Sequence, residues 1–141
     1  MTIFIRLAKS EGAQGLSDLN YMFNRVRVSA THVVRSLERN LSEKVFVALV
    51  NDELAGFACI DVKHSFCYET ADAELTEIFA IDQFRGFGVA TSLVNEVVKY
   101  CVVNEFDELY LRTSPTNDAA NLLFINLDFK LGETNVYYAL K

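Results

Sequence analysis

One proline and six glycines in 141 residues leave no material for a Pro-rich spacer, a Gly-rich linker or a collagen-like repeat. Cysteine is scarce and odd in number. Cys59, Cys67 and Cys101 show no C-x-x-C or zinc-ligand spacing, lie in apolar stretches, and read as small buried hydrophobes rather than ligands or nucleophiles. No metal site is expected. Without a disulfide framework the expected compartment is a reducing one, the cytoplasm. No run approaches the roughly 18 uncharged apolar residues of a membrane span. Met1-Thr2-Ile3-Phe4-Ile5-Arg6 lacks the charged lead-in of a signal peptide. Positive charge is also in deficit: Lys+Arg 13 against Asp+Glu 19 gives a net charge of −6. Phosphate backbones bind basic faces, so nucleic acid is excluded as a partner, and a cationic small molecule is favoured. What is present is a 51% apolar composition, which excludes wholesale disorder. The length fits one domain spanning residues 1–141.

Residues 2–7 are β-branched and aromatic and read as a first strand. Helical spacing of apolar positions follows over 10–27 (Leu16, Leu19, Met22, Phe23) and 30–41 (Val33, Val34, Leu37, Leu41). Residues 45–50 and 54–62 read as a hairpin turning at Asn51-Asp52, and 74–81 as a further strand. Residues 82–88 form a glycine-bearing loop that opens an amphipathic helix over 89–103. A strand over 108–112, a helix over 117–127, and short strands over 129–131 and 135–140 complete the chain. The expected architecture is a single α/β (α+β) domain. Its mixed, mostly antiparallel sheet has about six to seven strands, with helices on both faces.

The loop carries the chemistry. The first N–H groups of a helix lack intrahelical partners, and glycine lets the backbone approach an anion closely. Gly86 and Gly88 supply the glycines, and Arg85 adds a permanent cation. A Walker loop is excluded, because no Gly-Lys-Ser/Thr is present. A dinucleotide fingerprint is disfavoured: Thr91 stands where its third glycine belongs, and Asp107 precedes the following strand rather than ending it.

Arg85-Gly86-Phe87-Gly88-Val89-Ala90 resembles the Arg/Gln-x-x-Gly-x-Gly/Ala signature of the GNAT superfamily, the acyl-CoA-dependent N-acetyltransferases. Gln83-x-x-Gly86-x-Gly88 fits the same pattern in a second register. Asn117-x-x-Ala120-x-x-Leu123-Phe124-x-x-Leu127-Asp128-Phe129 resembles that family's second signature, with Phe124 at its usual Tyr and Asp128 at its usual Gly. The order of elements also resembles the family's over nearly the whole chain.

The resemblance implies an acetyl-CoA-dependent N-acetyltransferase acting directly on a primary amine through a ternary complex. It implies a pyrophosphate cradle of main-chain N–H groups over Arg85, Gly86, Phe87, Gly88, Val89 and Ala90. It also implies main-chain pairing of the pantetheine arm with Ile78, Phe79 and Ala80. Asn117 is either a pantetheine contact or a helix N-cap. An amine with a pKa of about 10 must lose a proton in the reaction. Glu77 and Glu74 are the candidate bases, and strand alternation puts them on opposite faces unless a bulge intervenes. Phe124 has no proton for the departing thiolate, so Tyr110, Tyr137, Tyr138 and water remain as donors. The substrate side is expected from the first two helices, the connection around Phe66 and Tyr68, and the last strands. The acceptor is a small-molecule amine, and a homodimer is the family's frequent state. Two alternatives stand beside this reading. One is a CoA-binding module with lost or altered catalysis, and the other is an acyltransferase using a longer acyl-CoA or a protein amine.

Overall fold

A computed structural model describes residues 2–84, 86–133 and 136–140. Five strands form one sheet in the order β1-β2-β3-β4-β5: β1 Ile3–Leu7, β2 Glu43–Val50, β3 Glu53–Lys63, β4 Asp72–Ala80 and β5 Leu109–Tyr110. Pairing is antiparallel from β1 to β4 and parallel between β4 and β5. The helices are α1 Ala13–Asn24, α2 Ala30–Arg39, α3 Val89–Val103 and α4 Asp118–Asn126.

Period-two alternation assigns the two faces of the sheet. Val45, Val47, Phe57, Cys59 and Phe79 point to one side, where Leu16 and Leu19 of α1 and Val33 and Leu37 of α2 cover them. Phe46, Ala48, Ala58, Ile60, Leu75 and Ile78 point to the other, where α3 lays down Val89, Leu93, Val94, Val97 and Cys101. Each such fully buried side chain contributes roughly 1.5–3 kcal/mol. Residues 55–60 of β3 are buried on both sides, which explains the unbroken apolar run Ala55-Gly56-Phe57-Ala58-Cys59-Ile60 at the centre of the sheet. Val98, which helical spacing from Val94 and Cys101 would set on the inward stripe of α3, lies at its border, 37% exposed.

The sheet has five strands, not six to seven. Among the described residues no strand follows β5. Residues 129–131 and 136–140 have alternating or apolar character, yet Leu131, Tyr137 and Leu140 are almost fully exposed. A strand exists only where a sheet edge receives it, and alternation alone supplies no edge. Asn135, at the start of the expected last strand, lies outside the described residues. β5 is also shorter than its sequence pattern. It keeps two residues, after which the chain leaves the sheet towards Pro115, which has no N–H to give a ladder.

Candidate active site

β4 is paired along its whole length with β3, but with β5 only at Ala73↔Leu109 and Glu74↔Tyr110. Beyond Glu74 no ladder pair joins the two neighbours. The outer edge of residues 75–80, including Ile78, Phe79 and Ala80, has no strand partner among the described residues. An unpaired strand edge is a template for any extended group bearing amides.

At the end of β4 the chain makes a short 3-10 turn, Asp82–Phe84, and enters α3 through Gly86 and Gly88. Both glycines are left-handed, with φ +84° and +86°, a region that L side chains enter only with strain. Nothing lies within 4 Å of where a Cβ would stand on either, so the space above the turn is open. Among the described residues no side chain caps α3; Ser92 N–H bonds back to the Gly88 carbonyl at 2.9 Å. The N–H groups of the first turn, from Val89 and Ala90 onward, therefore point out of the helix end. Phe87 is exposed on the same turn. Arg85 lies outside the described residues.

The two glutamates of β4 are brought to one face of the sheet, because a bulge does intervene. The register steps from Cys59↔Glu77 to Ile60↔Leu75, leaving Thr76 as the extra residue. Its hydroxyl donates to the Cys59 carbonyl at 3.2 Å. The environments of the two carboxylates differ sharply. Glu74 accepts from Lys63 Nζ at 2.9 Å and from Arg112 Nε at 3.2 Å, and Lys63 also donates to the Tyr110 hydroxyl at 2.6 Å. Burial pushes the Glu74 carboxyl up, but these two cations together outweigh it and hold the group below the usual range. Its role is to tie β3, β4 and the exit from β5 together where β4 and β5 pair.

Glu74→Gln is expected to lower the melting temperature at neutral pH by roughly 4 °C. This corresponds to about 1 kcal/mol, a figure kept small because the Lys63 and Arg112 side chains are 44% and 66% exposed. A carboxyl whose folded pKa is depressed contributes above its unfolded value and loses that contribution as pH falls through the folded one. The gap between wild type and variant in thermal melts therefore closes on acidification below the ordinary value of 4.5.

Glu77 is half-buried and has no cation beside it among the described residues. Burial raises its carboxyl above the usual range, and the Asn24 amide offsets part of that rise. It lines a cavity of about 230 Å³ between α1, α2 and the sheet, together with Asn20, Asn24, His32, Glu43 and Cys59. Asn24 also donates to Asn20 at 2.8 Å, and Asn20 donates to the Val26 carbonyl at 3.0 Å, so the α1–α2 turn is stitched to the cavity wall. Phe23 at the end of α1 stacks on Phe79 of β4, with centroids 5.1 Å apart, and walls the same side. The Cys59 thiol is driven far up by burial above all, then by Glu43 and Glu77, so it is no nucleophile.

Phe66 and Tyr68, expected at this pocket, are exposed and do not line it. Asn20, Asn24, His32 and Glu43 were not singled out for it. Only the packing of two helices across three strands brings them together, and no local spacing signals that.

Asn117 is the N-cap of α4, its Oδ1 accepting from Ala120 N–H at 3.2 Å. Phe124 is buried, edge-on to Phe129 with centroids 5.3 Å apart, and belongs to the core. Asp128 follows α4 at φ +66°, the left-handed position that glycine fills most easily and that Asp tolerates better than most. Among the described residues no group of three or more His, Cys, Asp and Glu is placed to hold a metal ion, and no helix is long and apolar enough to cross a membrane.

A family model described as Acetyltransferase (GNAT) family matches residues 15–129. An uncharacterized N-acetyltransferase of Archaeoglobus fulgidus is 26% identical over 125 residues, covering 88% of this chain and 83% of that protein. Among solved structures, AAC(6')-Iy in complex with the bisubstrate analog CoA-S-monomethyl-acetylneamine has a TM-score of 0.85 at 21% identity, with 100% of this chain and 99% of that one covered. The ribosomal-protein-alanine N-acetyltransferase of Brucella melitensis biovar Abortus 2308 has a TM-score of 0.84 at 15% identity, again covering 100% and 99%. At these identities the solved structures establish the fold.

Proposed function

The chain belongs to the acetyltransferase (GNAT) family, and on that footing we propose that it moves an acetyl group from acetyl-CoA directly to a primary amine of a small, cationic acceptor. The observation that carries this reading is the succession, along β4 and the turn that follows it, of the half-buried Glu77, the unpaired outer edge of residues 75–80 and the open glycine turn. The main-chain N–H groups of Gly86, Phe87, Gly88, Val89 and Ala90 would hold the pyrophosphate, and Arg85, which precedes them in the sequence, would add a cation. The main chain of Ile78, Phe79 and Ala80 would pair with the pantetheine amides. A donor on that edge is also placed to stabilise negative charge developing on a carbonyl oxygen. Asn117 serves as a cap that fixes the start of α4. When bound, acetyl-CoA supplies the activated acyl group.

Glu77 would take the proton of the acceptor amine. A carboxylate raised by burial is a better base at neutral pH than an ordinary one, and the amine needs such a base because it is largely protonated in water. Glu74, held ionised by two cations, is reserved for structure. The burial of Cys59 favours the direct route over an acetyl-cysteine. Phe124 leaves the proton for the departing thiolate to water or to a tyrosine hydroxyl. The complex of AAC(6')-Iy with the bisubstrate analog CoA-S-monomethyl-acetylneamine supports an amine as acceptor.

Thiol release from acetyl-CoA in the presence of a panel of primary amines tests the reading. Turnover dependent on both substrates is expected. Binding of acetyl-CoA without turnover on any amine would instead identify a CoA-binding module, and better turnover with longer thioesters an acyltransferase of wider reach.

A further inference from the structure

On the α1/α2 side, neighbouring rungs of the sheet carry a line of carboxylates. Glu43, Asp61 and Glu74 stand opposite one another on β2, β3 and β4, and Glu77 stands further along β4, opposite Cys59. Glu74 is answered by Lys63 and Arg112. Among the described residues no lysine or arginine pairs with Glu43, Asp61 or Glu77. Like charges directly opposite across a strand pair are destabilising, and half-buried carboxylates add a desolvation cost. Burial, and then the charges of Asp61 and Glu77, push the Glu43 carboxyl above its ordinary range. Local conflicts of this kind concentrate at functional sites.

A second feature, independent of the charges, is the space between them. Glu43 and Glu77 line one cavity, whose wall combines the apolar Leu16, Val33, Leu37 and Phe57 with the neutral polar Asn20, Asn24 and Ser36 and with His32. Cys59 forms its floor. That residue is only 8% exposed and its thiol has no hydrogen-bond partner among the described residues, so it presents a neutral, weakly polar surface beside the two acids. At about 230 Å³ the cavity falls below the roughly 300–1,000 Å³ that suits drug-sized ligands. Two strand spacings across and two residues along put the Cα atoms of Glu43 and Glu77 about 12 Å apart. A slender aliphatic chain with a positive charge at each end can lie across such a cavity with one charge at each acid.

We propose that this cavity receives a linear aliphatic diamine, its reacting nitrogen at Glu77 and its second ammonium at Glu43 backed by Asp61. The proposal rests on the acetyl-transfer reading and adds the acceptor class to it. Glu77 removes one proton from the reacting ammonium and later passes it to solvent; the freed amine attacks the thioester carbonyl, the C–N bond forms, the C–S bond breaks, and the second proton leaving the nitrogen reaches the departing thiolate, through water or a tyrosine hydroxyl, to give the free thiol of coenzyme A. The second nitrogen keeps its charge throughout.

The test compares butane-, pentane- and hexanediamine with the monoamines of equal length, for wild type, Glu43→Gln and Asp61→Asn. For wild type, kcat/KM for the preferred diamine is expected to exceed that of its monoamine by at least about tenfold. In Glu43→Gln that ratio is expected to collapse towards unity, chiefly through KM of the diamine, with a smaller fall in Asp61→Asn. Glu43→Gln is also expected to melt no lower than wild type, since it removes repulsion; a collapse of the ratio then reports recognition and not misfolding. Equal kcat/KM for diamines and monoamines in wild type, or a ratio unchanged in both variants, would overturn the proposal and leave acetyl transfer standing. Failure of the wild type to bind acetyl-CoA would overturn the functional reading itself. Should no amine be turned over, calorimetry of butane- to hexanediamine with the CoA-saturated protein decides: binding weakened in Glu43→Gln supports the diamine site, and absence of binding overturns it.

Discussion

Replacing Glu77 with glutamine is expected to lower kcat by roughly 10²–10⁴, the range for loss of a positioned general base, while leaving the affinity for acetyl-CoA unchanged. The substitution keeps shape and hydrogen-bonding capacity, so Asn24 keeps a partner and only the proton acceptor is lost. The pH profile separates this from a packing effect. Wild-type kcat/KM should fall on acidification through the raised pKa of Glu77, because only the carboxylate accepts a proton, and that limb should disappear in the variant. Stability moves the other way. A carboxyl whose folded pKa lies above its unfolded value costs stability as pH rises through that interval, so Glu77→Gln should be no less stable than wild type at neutral pH. An unaltered pH–rate curve, or equal losses of kcat and of acetyl-CoA binding, would remove Glu77 from the role of base.

The second large effect is expected at Gly88. Gly88→Glu should weaken acetyl-CoA binding by at least about 100-fold, or roughly 2.7 kcal/mol, in calorimetry. The new Cβ meets nothing within 4 Å, so packing is not disturbed. A negative charge at a helix N-terminus is favourable for the helix itself. What remains is backbone strain at φ +86° and a carboxylate aimed where a diphosphate would sit. Gly88→Asn separates the two. Asn tolerates the left-handed region and carries no charge, so it should fold like wild type and retain most of the affinity. Equal affinity for acetyl-CoA in wild type and Gly88→Glu would place the diphosphate elsewhere.

The parts of the site that were legible in the sequence are those built from neighbours along the chain. Gly86 and Gly88 sit between a strand and a helix whose inward stripe, Val89, Leu93, Val94, Val97 and Cys101, has helical spacing, and both their turn and that helix follow from local conformational rules. Asn117 as an N-cap is equally local. The bulge at Thr76 was not legible. It depends on the register between β3 and β4, and it alone decides that Glu74 and Glu77 share a face. Glu43 was invisible for a related reason: it enters the site from two strands away, across β3, and nothing in its own neighbourhood marks it. Glu74 and Glu77 are both candidate bases in the sequence, three positions apart on one strand, and nothing local shows how their surroundings differ. Lys63 and Arg112, remote in sequence, distinguish them. The two C-terminal strands were over-read, because alternation describes a segment fit for an edge without supplying the edge.

Pyrophosphate capture by the turn ahead of α3 is the claim on which the rest depends. Its most direct measurement is an amide chemical-shift titration of the isotope-labelled protein with coenzyme A, run in parallel with pantetheine, which lacks the diphosphate. The expected result is saturable shifts of the Gly86, Phe87, Gly88, Val89 and Ala90 amides with coenzyme A and little movement of the same amides with pantetheine. Unmoved amides at those positions under saturating coenzyme A, or equal shifts with both ligands, would contradict it.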